Sequence, residues 1–149
     1  MPAELVTRAT PELVEAFNRL IPQLSATAPE ATLGSLETFL ARYSTNQFIY
    51  RDEDTGKIVG LAMLVCFEIP TGRRGRVEDV IVDESVRGQG AGRALINAVV
   101  DRAKELGVKS LELQSHPTRI PANALYKRTG FYVRDINLYR HEDIGQIKR

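Results

Sequence analysis

What this chain lacks narrows its chemistry before any motif is considered. It has one cysteine in 149 residues, so no intrachain disulfide can form. That thiol, Cys66, sits in the apolar run Leu61 to Phe67 and reads as an inert core residue. Histidine occurs twice, and no Cys/His cluster has metal-ligand spacing, so no metal is expected. Charge of one sign is missing too: the net charge is +1, without the basic excess that nucleic acid selects. No apolar run reaches the about 18 residues that suggest a membrane span. The start, Met1-Pro2-Ala3-Glu4-Leu5, lacks the basic and then apolar regions of a leader. The expectation is a cytoplasmic protein with neither a membrane nor a nucleic acid as partner. With no internal repeat, linker or low-complexity segment, residues 1–149 read as a single domain, and a chain of this length buries about 70% of its unfolded surface.

What is there begins with a short strand at Leu5-Val6-Thr7, followed by a helix that Thr10 caps and Pro11 opens. Leu13, Phe17, Leu20 and Leu24 recur at helical spacing, and Pro22 and Pro29 are expected to break the region. A second helix then carries Leu36, Phe39, Leu40 and Tyr43 on one face. Strands are predicted at Gln47 to Arg51 and Ile58 to Phe67, joined through Asp54-Thr55-Gly56. The segment Pro70 to Gly75 reads as a turn that places Arg73 and Arg74 in a hairpin loop before a strand at Val77 to Val82. A helix from Gly92 stops at Gly107. A strand at Val108 to Gln114, a helix from Pro121 to Thr129 and a strand beginning at Phe131 to Arg134 complete the chain. An antiparallel meander followed by strand, helix, strand, helix, strand implies an α/β (α+β) domain, with a mixed, mostly antiparallel sheet flanked by helices.

Between the strand at Val82 and the helix at Gly92 lies Arg87-Gly88-Gln89-Gly90-Ala91-Gly92. Glycines let a backbone approach a ligand closely, and a helix start offers unpaired N–H groups and the positive dipole end, so the junction suits a phosphate or pyrophosphate. It is not a dinucleotide fingerprint: the third glycine position holds Arg93, and no acidic residue stands about 20 residues on. Nor is it a nucleoside-triphosphate loop, because Gly92 is followed by Arg93-Ala94.

The arrangement resembles the GCN5-related N-acetyltransferase (GNAT) family, whose pyrophosphate loop reads Arg/Gln-x-x-Gly-x-Gly/Ala after a strand ending in an apolar-x-Val pattern. Here those positions are Arg87, Gly90 and Gly92 behind Val80-Ile81-Val82. A second block, Asn123-Ala124-Leu125-Tyr126 leading to Gly130-Phe131, also looks like the family's, and the two together make a specific signal.

The resemblance implies a GNAT fold and an acetyl-CoA-dependent N-acetyltransferase, moving acetyl to the primary amine of a small molecule by direct attack in a ternary complex. A protein or peptide acceptor and a non-catalytic coenzyme A-binding module are the alternatives. Gln89, Gly90, Ala91 and Gly92 would give N–H groups to the pyrophosphate, with charge from Arg87 or Arg93. Ile81 and Val82 would present main-chain groups to the pantetheine arm, and a local splay of their strand would polarise the acetyl carbonyl. Tyr126 would protonate the leaving thiolate, with a core tyrosine as the alternative.

Glu78 matches the acidic residue that some members use as base, and Val77-Glu78-Asp79-Val80 is similar to the glucosamine-6-phosphate N-acetyltransferase branch. A structural carboxylate paired with Arg76 is the other reading. Asp79 is assigned to structure or acceptor binding. Asn123 would bond the pantetheine or cap its helix. Arg73 and Arg74 would bind an anionic acceptor or simply be solvated, and His116 is a base or a turn residue. A homodimer is common in the family.

Overall fold

Thr10 caps the first helix as its sequence predicts: its hydroxyl accepts from Leu13 N at 3.1 Å, and Pro11 takes the first turn of α1, Pro11–Leu24. The computed structural model describes residues 2–86, 88–142 and 144. Pro22 does not end α1, which runs two residues past it; only one carbonyl, a turn back, loses its amide, and this near the helix end where such bonds are already few. Asn18 closes the loop after α1 instead, its side chain donating to Ala31 O at 2.9 Å and accepting from Ala31 N at 2.8 Å. The second helix, α2, Leu33–Leu40, starts on a reciprocal cap between Thr32 and Ser35. It stops before Tyr43, which is 72% exposed and shares no helical face with Leu36.

The strands are β1 (Glu4–Val6), β2 (Thr45–Arg51), β3 (Ile58–Ile69), β4 (Gly72–Val82) and β5 (Ser110–Glu112), in that spatial order. The first four pair antiparallel, and β4 pairs with β5 in parallel, giving the mixed sheet expected. The turn between β3 and β4 is only Pro70-Thr71, so Arg73 and Arg74 lie in β4 and not in a hairpin loop. Ladder bonds override the turn preference of the flanking glycines. After a short 3₁₀ turn come α3, Ala91–Glu105, and α4, Ile120–Arg128. The strand expected from Phe131 to Arg134 is absent: these residues pair with no strand among the described residues.

Two cores sandwich the sheet. On one face α3 lays Leu95, Ile96, Val99 and Ala103 against Phe48, Leu64 and Val77. On the other, α1 and α2 bury Leu13, Ala16, Leu20 and Leu36 against Ile49, Leu61 and Ile81. Arg19 ties α1 to the strand ends, donating to Ile58 O at 2.9 Å and facing Asp83 at 3.5 Å. This holds α1 over the upper half of β4.

Candidate functional site

One residue too many in β4 creates the site. Pairing with β3 runs from Ile69↔Gly72 to Met63↔Glu78 and resumes at Leu61↔Ile81, so two steps along β3 answer three along β4. The bulge centres on Asp79, at φ 49, the one non-glycine in the left-handed region among the described residues. Asp tolerates that region better than most residues, and a bulge bends and twists the strand that carries it. Pairing of β4 with β5 spans only Arg74 to Arg76. Beyond that point the strands fork.

The fork opens a cleft of about 150 Å³. Glu78 and Asp79 line its β4 side, Leu113 its β5 side, and Arg119 and Tyr126 its α4 side, with Leu24 reaching in from the end of α1. A Cβ at Gly75 would face Leu64, Val108 and Leu111, and Val77 belongs to the core under α3. Strand alternation therefore turns Arg74, Arg76 and Glu78 to the opposite face. Arg76 Nε donates to Glu78 Oε1 at 3.1 Å across that face. Tyr126 sits on the α3 side, 7% exposed, with its ring edge-on to Phe131 at 6.2 Å. The cleft thus joins a carboxylate from one face of the sheet to a phenol from the other.

Burial raises the Tyr126 pKa, with Arg119 pulling weakly the other way, so the phenol keeps its proton at neutral pH. The Asp79 carboxyl is also raised, first by desolvation and then by the neighbouring Glu78 charge, although part of the residue lies at the surface. Its folded pKa is above its unfolded one, so the stability it contributes is present below about pH 4 and is lost as pH rises through the folded value. Asp79→Asn should therefore melt higher than the parent at pH 7, helped by the ease with which Asn adopts positive φ, and the gap should narrow toward pH 3.5. Melting curves at the two pH values check this.

At the upper end of the fork α3 begins without a side-chain cap; its N-cap is Gly90 at φ 83. The space where a Cβ would stand at Gly90 has no atom within 4 Å. Gly92, by contrast, would place a Cβ 2.9 Å from Leu125 Cδ2, so it also sets how closely α3 approaches α4. The first N–H groups of α3 lack a side-chain acceptor and face the loop, which fits a pyrophosphate. Gln89, Ala91 and Arg93 share this junction, Arg93 at the surface. Arg87 lies outside the described residues.

A second pocket, about 370 Å³, lies along β4 and β5 on the Glu78 face and brings together Arg74, Arg76, Ser110, Glu112 and Arg134. Arg74 Nη1 donates to Ser110 Oγ at 3.0 Å and Nη2 to Thr71 Oγ1 at 2.9 Å. Arg73 points elsewhere: it donates to Leu106 O at 2.6 Å and pairs with Glu68. The adjacent arginines are thus separated by the strand alternation that a hairpin loop would not have imposed.

The Ile81 side chain is buried under α1, while Val82 packs on the α3 side. Asn123 neither caps α4, whose N-cap is Arg119, nor lines the cleft; its amide donates to His116 O at 3.0 Å. His116 is an exposed turn residue, its Nδ1 2.8 Å from Thr118 Oγ1. Sequence reasoning missed Arg119 and Leu24 as cleft residues, since neither has a local signal. The pair of Arg76 with Glu78, one of the two readings the sequence offered for that carboxylate, is present, as period two along the strand allows.

Residues 12–131 match the model of the acetyltransferase (GNAT) family. The chain belongs to that family. It is 35% identical over 86 residues to a glucosamine 6-phosphate N-acetyltransferase of Trypanosoma brucei brucei, covering 56% of this chain and 56% of that one. The chain thus spans about half the length of this curated relative. A glucosamine 6-phosphate N-acetyltransferase 1 of Oryza sativa subsp. japonica is 27% identical over 135 residues, 85% of this chain and 79% of the relative. In fold, a putative acetyltransferase from Agrobacterium tumefaciens superposes with a TM-score of 0.81 at 19% identity, covering 95% of this chain and all of the other. In this GNAT chain no helix of the described residues is long and apolar enough to cross a membrane.

Proposed function

We propose that the chain transfers acetyl from acetyl-CoA to the primary amine of a small anionic molecule, by direct attack within a ternary complex. The observation that carries this reading is the fork at Asp79, whose cleft joins a protonated phenol to a carboxylate, with the uncapped start of α3 following the end of β4. The pyrophosphate would rest on N–H groups of Gln89 to Gly92, with Arg93 beside it. The pantetheine would run along the open side of β4 near Ile81 and Val82.

In the reaction the amine nitrogen bonds to the thioester carbonyl carbon, the C–S bond breaks, and two protons change place. Glu78 accepts one from the amine, held in orientation by Arg76. Tyr126 gives one to the departing sulfur, a step open to a phenol, which holds its proton at neutral pH. Asp79 shares the Glu78 end of the cleft, and its raised pKa favours it as the second carboxylate able to take a proton.

The acceptor would be an amine bearing a phosphate or similar anion. Arg74 and Arg76 converge on the pocket below Glu78, and guanidinium forks suit phosphate oxygens. Two relatives named for glucosamine 6-phosphate support the same acceptor class. Release of free thiol from acetyl-CoA, measured across phosphorylated amino sugars, their unphosphorylated forms, aminoglycosides and peptides, tests it. Phosphorylated amines should give the highest kcat/KM; a preference for peptides or for neutral amines would reject the acceptor class, and no thiol release with any amine would reject catalysis. Arg74→Ala should raise KM for a phosphorylated acceptor about tenfold or more while leaving that for acetyl-CoA unchanged, as loss of one charge-assisted contact predicts. Arg73→Ala should leave both unchanged.

A further inference from the structure

Passing a proton from a phenol to a thiolate is uphill. A phenol titrates at about 10 and an alkyl thiol at about 8.5, so the transfer is unfavourable by about thirtyfold. Burial raises the Tyr126 pKa and steepens that slope. The step needs a positive charge beside the phenol, where negative charge appears as its proton leaves.

The cleft holds one such charge. Glu78 and Asp79 line its β4 side, Leu24, Leu113 and Gln114 bring no charge, and Arg119 brings the only positive one among the described lining residues. Arg119 is the N-cap of α4 and Tyr126 stands seven residues on, so the two share one face of the helix, about 10 Å apart along its axis. Helix side chains lean toward the helix start, which turns the Tyr126 ring back toward Arg119. The Arg119 guanidinium forms no hydrogen bond or ion pair among the described residues, so neither carboxylate neutralises it. Burial dominates at both Tyr126 and Asp79, but the charge felt by the phenol is that of Arg119, whereas the charge felt by Asp79 is that of Glu78.

We propose that Arg119 is a positioning residue for the proton step, its guanidinium holding the negative charge that forms on Tyr126 Oη as the proton passes to sulfur. This rests on the acid role given to Tyr126 above. The amine nitrogen bonds to the carbonyl carbon, the C–S electron pair stays with sulfur, and the Tyr126 proton neutralises it. The phenolate left behind faces the guanidinium until water returns a proton. Only a cation without a carboxylate partner can serve in this way, because one already paired would carry little charge to offer.

Single-turnover thiol release in Arg119→Met, Arg119→Lys, Tyr126→Phe and the double variant Arg119→Met with Tyr126→Phe tests it. Arg119→Met should slow the step about tenfold, the equivalent of about one pKa unit at the phenol, with coenzyme A affinity parental. Arg119→Lys should keep most of the rate, because the charge remains. In the Tyr126→Phe background Arg119→Met should add nothing, since no phenolate is left to stabilise. A direct readout places difluorotyrosine at position 126, where its more acidic phenol titrates closer to neutral pH. Its fluorine resonance should show a midpoint about one unit higher with Arg119→Met and unchanged with Arg119→Lys. An unmoved midpoint, a full additional loss in the Phe background, or a Met variant at the parental rate beside a slow Phe variant would each overturn this proposal alone. Parental turnover in Tyr126→Phe would instead remove the acid role itself, and this inference with it.

Discussion

Tyr126→Phe should lower turnover by about 10² to 10⁴, the usual loss on removing a positioned acid, while coenzyme A affinity stays within error. The ring is what fills the core: it is nearly buried and meets Phe131 edge-on, and Phe preserves both contacts. Only the hydroxyl disappears, and it is the hydroxyl that would reach the sulfur. Its pKa is raised by burial, so the proton remains available throughout the neutral range and the defect should not be rescued between pH 6 and 8. Stopped-flow or steady-state thiol release, beside calorimetry with coenzyme A, separates the two parameters. A Phe variant with parental turnover would assign thiolate protonation to solvent.

The paired test at the other end of the cleft is Glu78→Gln. An alkyl amine is mostly protonated at neutral pH, so loss of the base should be felt most at low pH, where free amine is scarcest. If Asp79→Asn reproduces that profile and Glu78→Gln does not, the base is the carboxylate at the bulge.

Gly90→Val should abolish measurable acetyl-CoA binding or weaken it more than about tenfold, the equivalent of one or two charge-assisted hydrogen bonds lost. Nothing within 4 Å in the protein would meet the new Cβ, so its bulk is directed outward, where a pyrophosphate would rest on the helix start. The penalty to folding comes from φ 83 alone. For a residue with a Cβ that strain is about 1–2 kcal/mol, a few degrees of melting temperature in a domain of this size. Gly90→Ala carries most of the strain with little of the bulk, so it serves as the control: its melting point should fall similarly and its affinity should fall less. Calorimetry and thermal melts on both variants provide the check; equal, parental affinity in both would mean that the loop is not the anchor.

Local rules were enough wherever a few neighbouring residues decide the outcome. Thr10-Pro11 starts its helix, Gly107 follows the end of α3, and Gly88 and Gly90 mark the loop, because caps and positive φ depend on backbone chemistry within one turn. The order of elements came from the switch between periods of two and 3.6, and with the two motif blocks it gave the family and the mixed sheet. Tertiary structure alone decided the rest. Whether Arg73 and Arg74 sit in a turn or a strand depended on the ladder with β3, and that ladder then sent them to different places. The bulge at Asp79 has no signature in Val77-Glu78-Asp79-Val80, since an extra residue exists only relative to the strand opposite. Bringing Glu78, Arg119 and Tyr126 around one cleft required β4, the loop after β5 and α4 to meet, a coincidence of segments far apart in the chain that no local pattern encodes.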